Sequence, residues 1–332
     1  MKYFYSENAE LERKVDCFFA LLSEVNEKKY KNALSILLLG SLSRGEATWR
    51  QTEDGNIQML SDIEFFTVYP NSFSQFSLFD EDLKRASEEV FGKNNTSLFH
   101  IDNTYVNINA LHKMERKLLI YDAKVFGKCV VGEDILSLLP EISVNTINWC
   151  DIWDIMTHRV FSVLYYGFPF KRQGMENEYR YSLAKNSLDL MTVILVANKR
   201  LESGFERRLN MLKEMDIPSK WIEYFTYCLD IKLGKKSECE YTLGDMERLF
   251  SEILTSLETT FHVPISNIVV NAKSVLRRRT GMVKRAIQSR HIPPLCHRHL
   301  RNLLEDYNKD MELSTYDKKN NYVLHGYPKE GV

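Results

Sequence analysis

The 332-residue chain predicts an α+β protein: a mixed β-sheet with flanking helices first, then an all-helical part. Three observations carry that reading. The length exceeds the roughly 250–300 residues at which single cores stop growing, so two domains are expected. Apolar runs of strand length, Ser35 to Leu39 and Ile63 to Val68, lie in the first ~145 residues among helical segments. From about residue 146 onward helical periodicity dominates, with short loops punctuated by Gly or Pro. The expected boundaries are 1–145 for the α/β domain, 146–310 for the helical domain and 311–332 for a loose tail.

The elements follow in order. Leu11, Val15, Phe18, Leu22 and Val25 repeat at helical spacing and predict a helix over 8–27. Ser35-Ile36-Leu37-Leu38-Leu39, ended by Gly40, reads as a buried strand. A loop containing Trp49 and an Asp54-Gly55 turn signal leads to a second strand over 62–68. A helix over about 80–92 is expected to start at Asp80 as N-cap and stop at Gly92. Two short strands, 98–102 and 104–110, are expected to meet at an Asp102-Asn103 turn. A helix over 111–122 and an extended stretch from Val125 to Val131 complete the first half. In the second half the pattern predicts helices over 146–166, 177–201, 204–215, 219–232 and 242–261.

Composition narrows the class. Lys+Arg 44 against Asp+Glu 45, 44% hydrophobic and 27% charged residues describe an ordinary soluble globular chain, not a disordered or disulfide-built one. Six cysteines without a CxxC pair argue against zinc and redox motifs and for reduced thiols in the cytosol. The N-terminus lacks the apolar core of a signal peptide. The longest apolar runs, such as Met191 to Ala197, fall far short of the ~20 residues that span a bilayer. A cytoplasmic protein without a transmembrane segment is expected, its oligomeric state unspecified.

The chemistry-bearing stretch is Gly40-Ser41-Leu42-Ser43-Arg44-Gly45-Glu46, followed by Ser61-Asp62-Ile63-Glu64. A strand that ends in Gly-Ser exposes backbone N–H groups and a hydroxyl with little steric cover, a way to hold phosphate. Strand alternation puts Asp62 and Glu64 on one face with Ile63 on the other. Two carboxylates side by side repel unless a cation neutralises them. Mg²⁺, which takes one or two carboxylates plus substrate phosphates, does so.

These residues resemble the signature of the DNA polymerase beta-like nucleotidyltransferase superfamily, and the Ser-Asp-Ile-Glu form is similar to that of kanamycin-type aminoglycoside nucleotidyltransferases. The resemblance implies a nucleotidyltransferase-type sheet beside a helical domain, with the chemistry between them. It implies Mg²⁺-dependent transfer of a nucleoside monophosphate from a nucleoside triphosphate, ATP foremost, to a hydroxyl of a small molecule or glycan. By that carry-over Gly40, Ser41 and Arg44 bind the triphosphate, and Asp62 and Glu64 coordinate the metal. Lys185, on the expected helix over 177–201, is the candidate for a further phosphate contact, with Arg172 and Arg180 as rivals.

Two features depart from the family pattern. The loop 47–60 is longer than usual. The family's third carboxylate is expected on a neighbouring strand, where Tyr105-Val106-Asn107-Ile108 places Asn107. An amide coordinates a metal but takes no proton from an attacking hydroxyl. Either Asp102 substitutes from across the expected turn, or the base comes from Asp151, Asp154, Glu176 or Glu178, or the protein binds nucleotide without turnover. A protein-AMPylating toxin–antitoxin component is a further alternative of the same fold.

The C-terminal quarter stands apart in charge. No acidic residue lies between Glu258 and Glu305, while nine Lys or Arg do, so the rest of the chain carries −10 beneath a total of −1. This segment, densest over 272–301, predicts either packing onto the acidic remainder or capture of an anionic ligand or surface. Aromatics for base stacking are missing there, which argues against nucleic acid.

Overall fold

The computed structural model describes residues 2–51, 57–92, 101–147, 174–235 and 240–261, with seven positions between 151 and 163. The chain divides into two compact units, Met1–Ile147 and Asn148–Val332. The first is a mixed α+β unit; the described part of the second is helical.

Helix α1 (Ala9–Tyr30) begins at Asn8, whose side chain accepts a hydrogen bond from the Leu11 N–H, and buries Leu11, Val15, Phe18 and Leu22. Strand β1 (Ser35–Leu39) follows, with all five residues buried. Helix α2 (Gly40–Arg44) is a single turn and a half. Strands β2 (Trp49–Gln51) and β3 (Ile57–Met59) form a separate antiparallel pair. Next come β4 (Ile63–Tyr69), α3 (Phe76–Phe91), β5 (Ile101–Asn107), a 3-10 turn (Ile108–Lys113), α4 (Leu118–Phe126) and β6 (Lys128–Val131).

The main sheet has the order β5-β4-β1-β6. Strand β1 pairs antiparallel with β4 and β6, and β4 pairs parallel with β5. The absence of alternation in β1 has a plain cause, because each parity meets a different core. Ile36 and Leu38 join Phe18, Leu22, Phe79, Ile63 and Phe65 beneath α1 and α3. Leu37 and Leu39 join Phe66, Val68 and Val106 beneath Ile120 and Ala123 of α4.

Several expectations need correction. The stretch 47–60, expected as a loop, forms the β2–β3 ladder, and its Asp54-Gly55 signal lies outside the described residues. Helix α3 starts four residues before Asp80, at Phe76, with no side-chain cap at Gln75. Asp80 instead accepts a hydrogen bond from the Tyr105 hydroxyl at 2.6 Å. The early start packs Phe76 edge-on against Tyr69, Phe73 and Tyr105. Asp102-Asn103 is not a turn: β5 runs through it, since every residue from Ile101 to Asn107 has a partner on β4. The helix expected over 111–122 is split into the 3-10 turn and α4, and the extended segment begins only at Lys128.

The second unit contains α5 (Glu176–Ala197), α6 (Phe205–Lys213), α7 (Ser219–Leu233) and α8 (Leu243–Phe261), and buried polar bonds join α5 to α7 and α8. Tyr179 donates to Glu247 at 2.6 Å, Lys232 donates to Tyr181 at 2.9 Å, and Ser187 and Tyr224 share a 2.7 Å bond. The thiol of Cys228 is buried beside Tyr224, and burial pushes its pKa up to about 12. No described helix is long and apolar enough to cross a membrane. The basic segment 272–301 and the expected tail 311–332 lie outside the described residues.

One ion cluster ties α1 to α3. Asp82 is 4% exposed and accepts hydrogen bonds from Lys29 Nζ at 2.7 and 2.8 Å and from the Tyr30 hydroxyl at 2.6 Å. Burial pushes its carboxyl up, but the bonds from Lys29 and Tyr30 outweigh that and hold it below its ordinary value. A depressed carboxyl contributes stability that is complete above the ordinary carboxylate range and is lost as pH falls through the lowered pKa. Asp82→Asn is expected to destabilise the protein by about 1–3 kcal/mol at neutral pH. Below about pH 4 the variant's stability should fall less steeply than that of the wild type. Parallel urea-melt curves over pH 2–7 would refute this.

Candidate functional site

The site is built where β1 ends. Gly40 has φ +67°, and a Cβ placed on it would lie 2.4 Å from Oε2 of Glu64. The Glu64 carboxylate therefore lies against the bare α-carbon of Gly40: the positive φ favours glycine, and a side chain there would also push aside the flexible end of Glu64. The antiparallel register explains the approach, because Glu64 pairs with Leu39, the residue before Gly40. The turn after it closes on itself. Ser43 Oγ donates to Gly40 O at 2.9 Å and the Glu46 N–H donates to Ser41 O at 2.8 Å.

Asp62 immediately precedes β4 and is 6% exposed; Glu64 is half-buried. Ser61, 1% exposed, accepts a hydrogen bond from the Thr48 N–H at 2.9 Å, so the β2–β3 stalk is hooked to the residue beside Asp62. Parity assigns Asp62 and Glu64 to the sheet face that also carries Phe66 and Val68, whereas Ile63 and Phe65 enter the opposite core.

The parallel register brings a third carboxylate alongside. Asp102 pairs with Glu64, and parity gives it the face of Val106, which is the face of Glu64. Asn107 is not brought to this cluster. It pairs with Tyr69 at the far end of the strands, five residues or roughly 17 Å from Asp102 along β5. Its amide donates to Asn71 at 2.8 Å and its oxygen accepts from the Asn109 N–H, capping the 3-10 turn.

Arg44 is turned inward. Its Nε donates to Glu46 Oε2 at 2.8 Å, and Nη1 lies 3.5 Å from Asp122 Oδ2 on α4. Burial pushes the guanidinium down, but the carboxylates of Asp122, Glu46 and Glu64 more than reverse this and raise it above its ordinary value. Asp122 and Glu46 were not among the expected residues. The signal for Asp122 is a lone acid in the otherwise apolar run Leu118-Leu119-Ile120-Tyr121-Asp122-Ala123; Glu46 had only its nearness to Arg44.

Lys185 belongs to the second unit, half-buried on α5. Its rival Arg180 is engaged within that unit, donating to the Tyr227 hydroxyl and to Tyr241 O. Arg172 and Asp154 lie outside the described residues. Among the other candidate bases, Asp151 and Glu178 are buried at 7% and 9% exposure, while Glu176 is exposed.

Among the described residues no three His, Cys, Asp or Glu side chains gather closely enough to cage a metal ion. Mg²⁺ asks for no such cage, since it completes its shell with phosphate oxygens and water. Asp62 and Glu64, hard oxygen donors on one face, fit that manner of binding.

No family model matches the chain, and no curated protein matches it. Among solved structures it is similar to spectinomycin adenyltransferase AAD(9) from Enterococcus faecialis, determined with ATP and spectinomycin. The two share 15% identity at a TM-score of 0.47, over 73% of this chain and 98% of that one.

The contact at Gly40 can be tested against a second glycine. Gly45 also has positive φ, +73° with ψ +26°, but the nearest atom to an added Cβ there is Lys2 O, at 3.4 Å. Gly45→Ala should cost little beyond the left-handed strain of about 1–2 kcal/mol. Gly40→Ala should cost that and also displace the Glu64 carboxylate, giving the larger fall in melting temperature. Equal losses at the two positions would contradict the close contact.

Proposed function

We propose that the protein is a nucleotidyltransferase, moving a nucleoside monophosphate from a nucleoside triphosphate to an acceptor hydroxyl with release of pyrophosphate. The observation that carries the reading is the grouping of Asp62, Glu64 and Asp102 on one sheet face beside the Gly40-Ser41 turn. An acceptor hydroxyl oxygen attacks the α-phosphorus in line. The bond from that phosphorus to the β-phosphate bridging oxygen breaks, and pyrophosphate leaves with its electron pair.

In this reading Asp62 and Glu64 hold Mg²⁺, which when bound offsets the charge that develops on the phosphate oxygens. Gly40 and Ser41 receive the triphosphate, and Lys185 is a candidate for a further phosphate contact. Asp102 takes the proton of the attacking hydroxyl, a task open to a carboxylate and closed to the amide of Asn107. Register supports this choice, since Asp102 is Glu64's neighbour and Asn107 is not. A binding protein without turnover rests on an amide in the acid's position; Asp102 as the base supports turnover instead.

The acceptor class proposed is a hydroxyl of a small molecule or glycan, with ATP the first donor to try. Pyrophosphate release should be measured with each of the four common nucleoside triphosphates and a panel of polyol, aminocyclitol and glycan acceptors. Asp62→Ala and Asp102→Asn are each expected to lower turnover at least about 10²-fold while leaving the melting temperature nearly unchanged. Asn107→Asp should have little effect on turnover. Wild-type turnover in Asp62→Ala would sink the metal assignment. A loss in Asp102→Asn no larger than that caused by Asn107→Asp would sink the base.

A further inference from the structure

We propose that Arg44 is a positioning residue, pinned between Glu46 and Asp122, that fixes the Gly40–Arg44 turn and the Glu64 carboxylate resting on it. It is not, on this view, a phosphate ligand. The functional consequence rests on the nucleotidyltransferase reading above; the geometry does not. A helix as short as α2, Gly40–Arg44, cannot hold its own shape, because its few hydrogen bonds barely repay nucleation. Its two ends are instead set from outside.

At one end Glu64 lies on Gly40. At the other the guanidinium of Arg44 meets Glu46 at 2.8 Å and Asp122 at 3.5 Å, with the three side chains only 10%, 11% and 15% exposed. Asp122 rides on α4, whose Ile120 and Ala123 are packed into the core beneath Leu37 and Leu39 of β1. The pin therefore joins the turn to a helix that already rests on the same strand. Two carboxylates on one planar fork use its donors in a geometry an ammonium cannot copy. They also cancel its charge, so little cationic field is left for a triphosphate. Glu46 is brought back to the guanidinium by the bond from its own N–H to Ser41 O.

The test uses the full chain and four variants: Arg44→Gln, Arg44→Lys, Asp122→Asn and the Arg44→Gln/Asp122→Asn double. Three quantities are read: melting of the ligand-free protein, the Kd of a non-hydrolysable nucleoside triphosphate with Mg²⁺, and kcat with KM. Arg44→Gln and Asp122→Asn should each lower kcat about 10- to 100-fold, the scale of a small misplacement at a reacting centre. Nucleotide Kd should stay within about threefold of wild type, because no binding contact is lost. The double variant should be no worse than Arg44→Gln, in melting and in kcat, since both changes break one interaction. Arg44→Lys should recover part of kcat.

A tenfold or greater loss of nucleotide affinity in Arg44→Gln, with Asp122→Asn unchanged, would make Arg44 a phosphate ligand and overturn the proposal. Full kcat in both single variants would overturn it too, leaving a purely structural ion pair. Wild-type protein that neither binds nor turns over any nucleoside triphosphate would end the nucleotidyltransferase reading instead. The melting cycle then decides the clamp alone: coupled losses support it, and additive losses overturn it.

Discussion

The candidate site depends on a backbone reversal that favours glycine, with a carboxylate laid against it. β1 must stop, reverse its backbone into the left-handed region and leave room for a carboxylate from the adjacent strand. Gly40 meets all three demands, with φ +67° and Glu64 Oε2 2.4 Å from where a Cβ would sit. Glu64 in turn is where it is because β4 pairs antiparallel with β1 and sets it opposite Leu39. The register thus brings the turn, the strand end and the carboxylate together, and in the proposal above the Arg44 clamp holds them there.

That arrangement could not slip. β1 is buried on both faces, with Ile36 and Leu38 in one core and Leu37 and Leu39 in the other. Moving β4 by one residue against it would send Phe66 and Val68 to the wrong core and turn Asp62 and Glu64 away. The same parity governs β5, where Val106 is buried with Phe66 and Val68 and Asp102 shares its face. Hydrophobic packing, which has no interest in chemistry, thus decides which acids share a face.

This also marks what could be read from the sequence. β1, β4 and the Asp62–Glu64 pair were legible because their signals are local: a run of apolar residues, a terminating glycine, an acid-x-acid spacing of period two. The partner of β4 was not, since a parallel pairing joins residues about forty apart and leaves no trace at either. Asp102-Asn103 has the composition of a turn, and only the ladder to Glu64 and Phe65 shows that it is strand. Asn107 was chosen for its apolar neighbours, yet the register carries it to the opposite end. Asp80 has the chemistry of an N-cap, but edge-on packing of the partly buried Phe76 against aromatic rings starts the helix a turn sooner. The inward turn of Arg44 was likewise invisible, because Asp122 lies 78 positions away.

Charge gives the arrangement its chemical sense. Glu46, Asp62, Glu64, Asp102 and Asp122 belong to one unit, and Arg44 is matched to two of them at short range. Three carboxylates on one sheet face repel one another and would repel a bare triphosphate still more. In the proposed reading Mg²⁺ bound to phosphate oxygens would offset that repulsion. The near-neutral total of the chain conceals this, since nine cationic residues in the C-terminal quarter offset a body at −10. Arg44 fits the same logic as a cation already engaged: it quiets the repulsion between Glu46 and Asp122, and its charge is felt by Glu64 as well.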